Sequence, residues 1–385
     1  RQPRLDRAGP ATGMNVPSAV FFEESYEEMK ELVESDARSL VGVTQARIPH
    51  PSPSHFLRQG KLTEVRDRAR EARADILIFN VDLTPVQARN IEAFTKMRSM
   101  DRTGLILDIF AQRAQTREGK LQVELARLNY MLPRLMGLGG VLSRLGGGIG
   151  TRGPGEPELE SDRRKVRTRI QSVKGELDKV RKHRELLRAG RRKKNFVTVT
   201  LVGYTNAGKS TLLNALTGAD AYVADKLFAT LDPTTRMQSI NGRRDILFVA
   251  TVGFIRDLPH PLVEAFRATL EEVGEADLLI HVLDVSHPHA ADCKRAVEKV
   301  LEEIGAAAKP VVLALNKNDL LNEDEKRRVR NTWPEGVLIS ARERWGLPAL
   351  LQRITQTLVR ADGSGRSDQA AGGGSDTSVR ADGSG

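Results

Sequence analysis

The stretch "FVTVTLVGYTNAGKSTLLNALTG", residues 196–218, decides the fold. Its first seven residues form an apolar, β-branched run of the kind that makes a strand buried on both faces. Its last nine read as the start of a helix. Between them, "GYTNAGKS" (203–210) fits G-x-x-x-x-G-K-[ST] at every fixed position. Strand, glycine loop and helix in that order put the backbone N–H groups of residues 206–211 at a helix N-terminus, where they can wrap phosphates. Lys209 would reach the β and γ phosphates, and Ser210 would ligate Mg2+. The expected nucleotide contacts along this loop are Gly203, Tyr204, Thr205, Asn206, Ala207, Gly208, Lys209, Ser210 and Thr211.

Working outward, "DILFVAT", "DLLIHVLDV", "PVVLALN" and "GVLIS" are further short apolar runs, most of them followed by helical patterns, within 195–358. They predict a doubly wound α/β domain built on parallel strands. At the end of one run, "LALNKND" sets Asn316, Lys317, Asn318 and Asp319 in the pattern N-K-x-D. The Asp319 carboxylate can accept two hydrogen bonds from the edge of guanine. Adenine offers no such pair of donors, so guanine is favoured. "ISAR" on the next strand, with Ser340, Ala341 and Arg342, completes the base side. An ATPase of RNA metabolism is a remoter reading, and Asp319 speaks against it.

Upstream, residues 24–111 read as a small α/β unit. "SYEEMKELVESD" is amphipathic; "SLVGVTQA" and "DILIFNVD" read as buried strands, with the helical "KLTEVRDRAREARA" between them. Over 112–194 the pattern changes. Leu121, Leu125, Leu128, Leu132 and Leu135 recur at spacings of four and three, as do Val166, Ile170, Val173, Leu177 and Val180, with Leu187 a heptad later. Two such seams predict a long helical hairpin. Pro133 should bend or locally break its first helix. "SRLGGGIGTRGPGE" (143–156), with six glycines, sits between the helices. It lacks the G-K-[ST] ending and follows no apolar strand, so it is not a second phosphate loop. Gly147 and Gly148 permit close backbone approach, and Arg144 and Arg152 can pair with phosphates, which suits a tip that enters an RNA cleft. A flexible connector is the alternative; helix–helix connections usually need only about 2 to 8 residues.

Charge points the same way. Residues 163–194 hold fifteen Lys/Arg and three Asp/Glu, a net of +12 against +10 for the whole chain. Such density favours a polyanion over a merely solvated face. Arg163, Arg164, Lys165, Arg167 and Arg169 are the candidate contacts to an RNA backbone. Aromatic residues are only 4% of the chain, which disfavours a base-stacking platform. The single cysteine, Cys293, excludes an internal disulfide and a Cys-based zinc site. No apolar run is long enough to span a membrane. A chain opening on Arg1 is expected to lack a few upstream residues. Residues 1–23 are expected to be a flexible segment without a signal core, and 359–385, where "VRADGSG" occurs twice, a disordered tail. A cytoplasmic monomer is expected.

Five stretches carry a resemblance to a known family: "DRTGLILDIFAQRAQTREGKLQVELARLNYMLPRL" (101–135), "GGGIGTRGPGEPELESDRR" (146–164), the phosphate loop with its helix, "LFATLDPTTR" (227–236) and "TVGFIRDLPHPLVEAFRATLEE" (251–272). The chain resembles the HflX GTPases, a branch of the translation-factor-like P-loop GTPases, over about residues 25–358. The resemblance implies a GTP-hydrolysing factor that contacts the large ribosomal subunit and its rRNA, and separates or rescues stalled or idle ribosomes. It implies that the glycine-rich tip approaches the peptidyl-transferase region. By the same resemblance Phe228, Ala229, Thr230, Leu231 and Asp232 look like the first switch, with Thr230 ligating Mg2+ and Thr234 and Thr235 as rivals. The second switch should read D-T-V-G, but this chain has Ala250, Thr251, Val252 and Gly253. The missing carboxylate would normally hold Mg2+ directly or through water; Asp284, on a later strand, is expected to be structural instead. Phe254 stands where many GTPases carry a water-orienting glutamine. Lys209, Thr230 and Gly253 are the candidate catalytic positions. GTP and GDP binding with slow, ribosome-stimulated hydrolysis is expected; a nucleotide-gated RNA-binding module with negligible turnover is the alternative. Family members commonly continue into a small C-terminal domain, where this chain has its low-complexity tail.

Overall fold

A computed structural model of the protein describes residues 19–136, 155–193, 196–218, 227–228, 231–240, 244–255 and 267–370. The N-terminal unit runs α1 (Ala19–Ser35), α2 (Gln59–Glu71), β1 (Ile76–Phe79), α3 (Pro85–Thr95), β2 (Arg98–Asp101) and α4 (Arg102–Arg113). β1 and β2 pair in parallel. α3 starts on a capping box between Thr84 and Gln87, with Pro85 in its first turn. The expected strand at "SLVGVTQA" does not form: residues 38–48 carry no regular element, and Leu40, Val41 and Val43 are exposed. An apolar run becomes a strand only with a ladder partner, and among the described residues β1 and β2 pair only with each other. α4 is apolar almost all round, and Leu105, Ile106, Ile109 and Phe110 are fully buried. Such a helix must be enclosed by neighbours. Here α1 covers one side, and the helix that follows at 117–136 covers another.

The hairpin is α5 (Arg117–Met136) and α6 (Gly155–Lys193). Leu121 and Leu125 mesh with Ile170 and Val173, and Leu128, Leu132, Val166, Leu177 and Val180 extend the seam. α6 has 39 residues, about 58 Å of helix. α5 passes through Pro133 and ends at Met136, so the expected break is absent. The glycine-rich tip, with Arg144, Gly147, Gly148 and Arg152, lies outside the described residues.

The C-terminal α/β domain follows: β3 (Val197–Gly203), α7 (Lys209–Thr217), β4 (Thr234–Ile240), β5 (Arg244–Ala250), α8 (Arg267–Gly274), β6 (Leu278–Asp284), α9 (Ala290–Glu303), β7 (Val311–Asn316), α10 (Glu323–Thr332), β8 (Val337–Leu338) and α11 (Leu347–Ala370). The sheet order is β4-β5-β3-β6-β7-β8. It is mixed rather than wholly parallel, because β4 runs antiparallel at one edge and pairs Thr234 with Ala250. Helices cover both faces, α7 and α11 on one, α8, α9 and α10 on the other. α11 continues from Val359 to Ala370, into the segment expected to be disordered. A helix already nucleated and anchored by Leu350, Ile354 and Leu358 extends without a new nucleation cost.

Candidate guanine-nucleotide site

The phosphate loop leaves β3 and turns into α7 through two left-handed residues, Asn206 (φ 60°) and Gly208 (φ 93°). Gly208 has no substitute: a Cβ there would lie 2.3 Å from Asn316 Nδ2. That approach is functional geometry. Asn316 Nδ2 donates to the Ala207 carbonyl at 2.8 Å, and Asn316 Oδ1 accepts from the Ala341 N–H at 2.9 Å. One buried side chain thus ties the phosphate loop to the N-K-x-D strand and the "SAR" segment. Ser340 is fully buried, and its Oγ accepts from the Glu343 N–H. Lys317, left-handed at φ 63°, forms an ion pair with Asp284 at 2.7 Å, which gives Asp284 its structural task. Asn318 and Asp319 follow in a single 3-10 turn, and Arg342 projects into solvent.

Lys209 opens α7 and is buried. Its Nζ donates to the carbonyls of Gly203 (3.1 Å) and Tyr204 (2.7 Å), and burial pushes the ammonium down to about 7. A cation withdrawn from water beneath a ring of backbone N–H groups is stabilised by an anion of matching reach, such as a phosphate chain. Ser210 and Thr211 follow in the first turn.

Mg2+ would meet few protein donors. Ser210 offers a hydroxyl, and Ala229 and Thr230 lie outside the described residues. The place of the carboxylate is taken by Ala250, fully buried at the end of β5. No group of three His, Cys, Asp or Glu that could hold a metal occurs among the described residues. These donors fit an ion carried on phosphate oxygens and touched by Ser210, not one caged by protein carboxylates.

Comparison with known proteins now bears on this geometry. Residues 23–111 match the family model "GTP-binding GTPase N-terminal", 113–191 "GTP-binding GTPase Middle Region", and 198–317 "50S ribosome-binding GTPase". The chain is 50% identical to GTPase HflX of Caldanaerobacter subterraneus subsp. tengcongensis over 338 residues, 88% of this chain and 78% of that protein. The chain belongs to the HflX family of GTPases. GTPase HflX of Escherichia coli K12 is 46% identical over 87% of this chain and 79% of its own length. The solved structure of SsGBP in complex with GDP is 28% identical, with a TM-score of 0.51 over 88% of this chain and 96% of that one.

In this HflX chain the two stretches expected to be switches pack largely outside the α/β domain. Leu227, Phe228, Leu231, Val252 and Ile255 pack into the core of the N-terminal unit. Phe228, left-handed at φ 55°, sets its ring edge-on to Phe110 at 4.8 Å, and the Leu227 N–H donates to Ser35 Oγ. Asp232 accepts from the N–H groups of Gln115 and Thr116, both at 2.9 Å, and from the Thr116 hydroxyl. It therefore braces Thr116, whose own Oγ1 accepts the Gly119 N–H at 3.0 Å and caps the start of α5, the first helix of the hairpin. Arg184 of α6 pairs with Glu118 of α5 at 2.6 Å and with Glu271 of α8 at 3.0 Å, so the helix after the second switch is tied in too. Thr234 and Thr235, the rivals of Thr230, are strand residues of β4. Thr251 donates its hydroxyl to the Leu201 carbonyl, and Gly253 lies against Thr205. The Phe254 ring is buried with Val202, Val273 and Leu279.

On α6, Arg164, Lys165 and Arg167 are exposed, while Arg163 is half-buried. Arg169 is committed within the hairpin to Glu124, at 2.6 and 2.8 Å. No described helix is long and apolar enough to cross a membrane. The residues that sequence reasoning missed are Ser35, Phe110, Gln115, Thr116, Arg184 and Glu271; only Thr116, a helix N-cap type just before a periodic run, left a local signal.

Proposed function

We propose that this HflX-family chain binds GTP and GDP at the loop 203–211 and uses the bound nucleotide to set the helical hairpin into rRNA of the large ribosomal subunit, thereby separating or rescuing ribosomes. The observation that carries this reading is the contact of Asp232 with Gln115 and Thr116, since it joins the end of the segment that resembles the first switch to the base of the hairpin. An order change in that segment on loss of the γ-phosphate would reach the hairpin without an intermediary. Lys209 and the loop N–H groups hold the phosphate chain; Asn316, Asp319 and Ala341 frame the base. Ser210 and Thr230 would hold Mg2+, which supplies charge neutralisation of the phosphates. Arg164, Lys165 and Arg167 face outward along α6 and would contact phosphates of RNA, with the tip residues beyond them.

Hydrolysis is slow on this reading. Ala250 offers no carboxylate, and Phe254 turns its ring into the core, so no side chain of the second switch orients water. The attacking water is then placed by backbone or by the ribosome. The same two residues favour a second reading, a nucleotide-gated rRNA-binding module with negligible turnover.

Co-sedimentation of the full chain with isolated large subunits tests the proposal. Retention with GMPPNP should exceed retention with GDP or no nucleotide, and indifference to nucleotide would overturn it. Phosphate release with and without ribosomes separates the two readings: strong stimulation marks the enzyme, none the binding module.

A further inference from the structure

We propose that Arg184 is a positioning residue for the hairpin: it fixes the angle at which α5 and α6 leave the α/β domain, and so where the basic face of α6 meets RNA. The consequence for RNA rests on the rRNA reading above; the fixed angle rests on contacts inside this chain.

Arg184 lies one turn past Val180, where the packed seam on α6 ends among the described residues. Beyond it the chain runs on to β3, which opens at Val197. At this passage from hairpin to α/β domain, one nitrogen joins three helices. Arg184 Nη2 meets Glu118 of α5 at 2.6 Å and Glu271 of α8 at 3.0 Å. α8 itself stands between the units, since Leu270 packs against the N-terminal core and against the apolar cluster around Val273 and Leu279. Arg181, one turn earlier on α6, stands 3.8 Å from Glu271 and is far more open to water.

An exposed ion pair would set no angle, because water and salt compete for both partners. Here the side chains of Arg184, Glu118 and Glu271 are only 13%, 19% and 21% exposed. Removing the shared cation leaves two half-buried carboxylates from different units close together, which favours their separation. The apolar contacts of α5 in the same region, with Leu231, Val252 and Ile255, are non-directional. The guanidinium is directional, so it selects one angle among those that the packing would accept.

The length of α6 magnifies that choice. From Arg184 to Lys165 is about 28 Å of helix, so a turn of about 10° at the joint carries that ammonium about 5 Å. An ion pair with a phosphate reaches only about 4 Å, so such a turn would unseat it.

The test uses the full chain with spin labels at Ser161→Cys on α6 and Asn331→Cys on α10, in a Cys293→Ala background. The parent should give one narrow distance between them. Arg184→Gln removes the charge and should broaden or shift that distance by about 6 Å. It should also lower retention on isolated large subunits with GMPPNP by about tenfold, as phosphate contacts are lost. Arg184→Lys should keep both readouts near the parent, because a single nitrogen makes both contacts. GDP affinity should stay parental in both variants. Should Arg184→Gln not fold, Glu271→Gln breaks the tie from the other side and carries the same expectation. A parental distance in the Gln variant overturns the proposal, as does a displaced hairpin with parental retention. A fall in GDP affinity that matches the fall in retention marks a general loss of structure and overturns it too. A parent chain that large subunits do not retain sinks the rRNA reading, while the distances still decide whether Arg184 sets the angle.

Discussion

The two sides of the nucleotide site are built differently. On the base side, the groups that join the segments have partners inside the α/β domain: Asn316 bridges Ala207 and Ala341, Lys317 meets Asp284, and Ser340 accepts from Glu343. On the switch side, Thr251 and Phe254 stay inside the domain but other side chains leave it. Leu227, Phe228, Leu231 and Val252 are core residues of the N-terminal unit, Asp232 belongs to the hairpin, and Thr205 Oγ1 has no partner. Under the proposed function, the first arrangement would hold a ligand in a preformed seat, and the second would make the state of the γ-phosphate a matter of packing between units. On this reading binding belongs to one domain, while its consequence is shared by three.

The sharpest way to break that contrast is Asn316→Ala. It strands the Ala207 carbonyl and the Ala341 N–H in a buried place, and each such loss costs about 1–3 kcal/mol. The expected result is a loss of about 3 kcal/mol in urea unfolding and a fall of about a hundredfold in GDP affinity. GDP affinity within twofold of the parent would show that the base side is not preformed by this residue.

Ala250→Asp probes the other side. The position ends β5, next to Leu201 of β3 and opposite Thr234 of β4. A carboxylate there restores a partner for Mg2+, and turnover at low millimolar Mg2+ should rise by about tenfold to a hundredfold. With a chelator present, the same buried carboxylate has no cation and should lower the unfolding midpoint. A phosphate-release rate equal to the parent's at that Mg2+ would show that Ala250 does not limit turnover.

A smaller effect concerns the sheet beneath the base side. His281 on β6 is buried, and its Nε2 has no hydrogen-bond partner. Burial, then the charges of Lys294 and Lys209, lower its pKa to about 3. The unfolded chain takes a proton below about 6.5 while the folded one does not. Stability is therefore full above that pH and falls as pH drops through the window toward 3. Between pH 6.5 and 5 this residue alone should remove about 2 kcal/mol. Urea unfolding of the parent and of His281→Leu at both pH values checks it: the variant should lose less on acidification by that amount. Parallel losses would show that His281 does not titrate with folding.

What could be read from the chain follows the range of the interaction. The phosphate loop, the N-K-x-D strand end and the leucine seam are local or periodic patterns, and each lies where its spacing put it. On α5 the packed seam runs from Leu121 to Leu132, just short of Pro133. β4 escaped notice because "TTRMQSI" is polar and charged, as suits an exposed antiparallel edge. "SLVGVTQA" misled in the opposite sense, since apolar content says nothing about a missing neighbour. Asp232 was legible as part of a segment that resembles a switch but not as the support of the helix cap at Thr116. Its partners lie more than a hundred positions away in another unit, and no period or spacing encodes such a meeting.

That cap also sets the finest test of the contrast. Asp232→Asn keeps the shape but removes the charge that favours a helix N-terminus, and Thr116→Val removes the hydroxyl that meets it. Each should cost about 1 kcal/mol of stability. The stability loss alone would follow from any helix cap, so the decisive readout is the nucleotide dependence of retention on large subunits. If Asp232 transmits the state of the first switch, either substitution should shrink the difference between GMPPNP and GDP severalfold. The pair together should do little more than one alone, because both remove the same connection. Additive effects, or a parental nucleotide response in both variants, would mean that the hairpin base and the switch are merely adjacent. Signalling would then have to pass through the other tie, from Arg184 to Glu271.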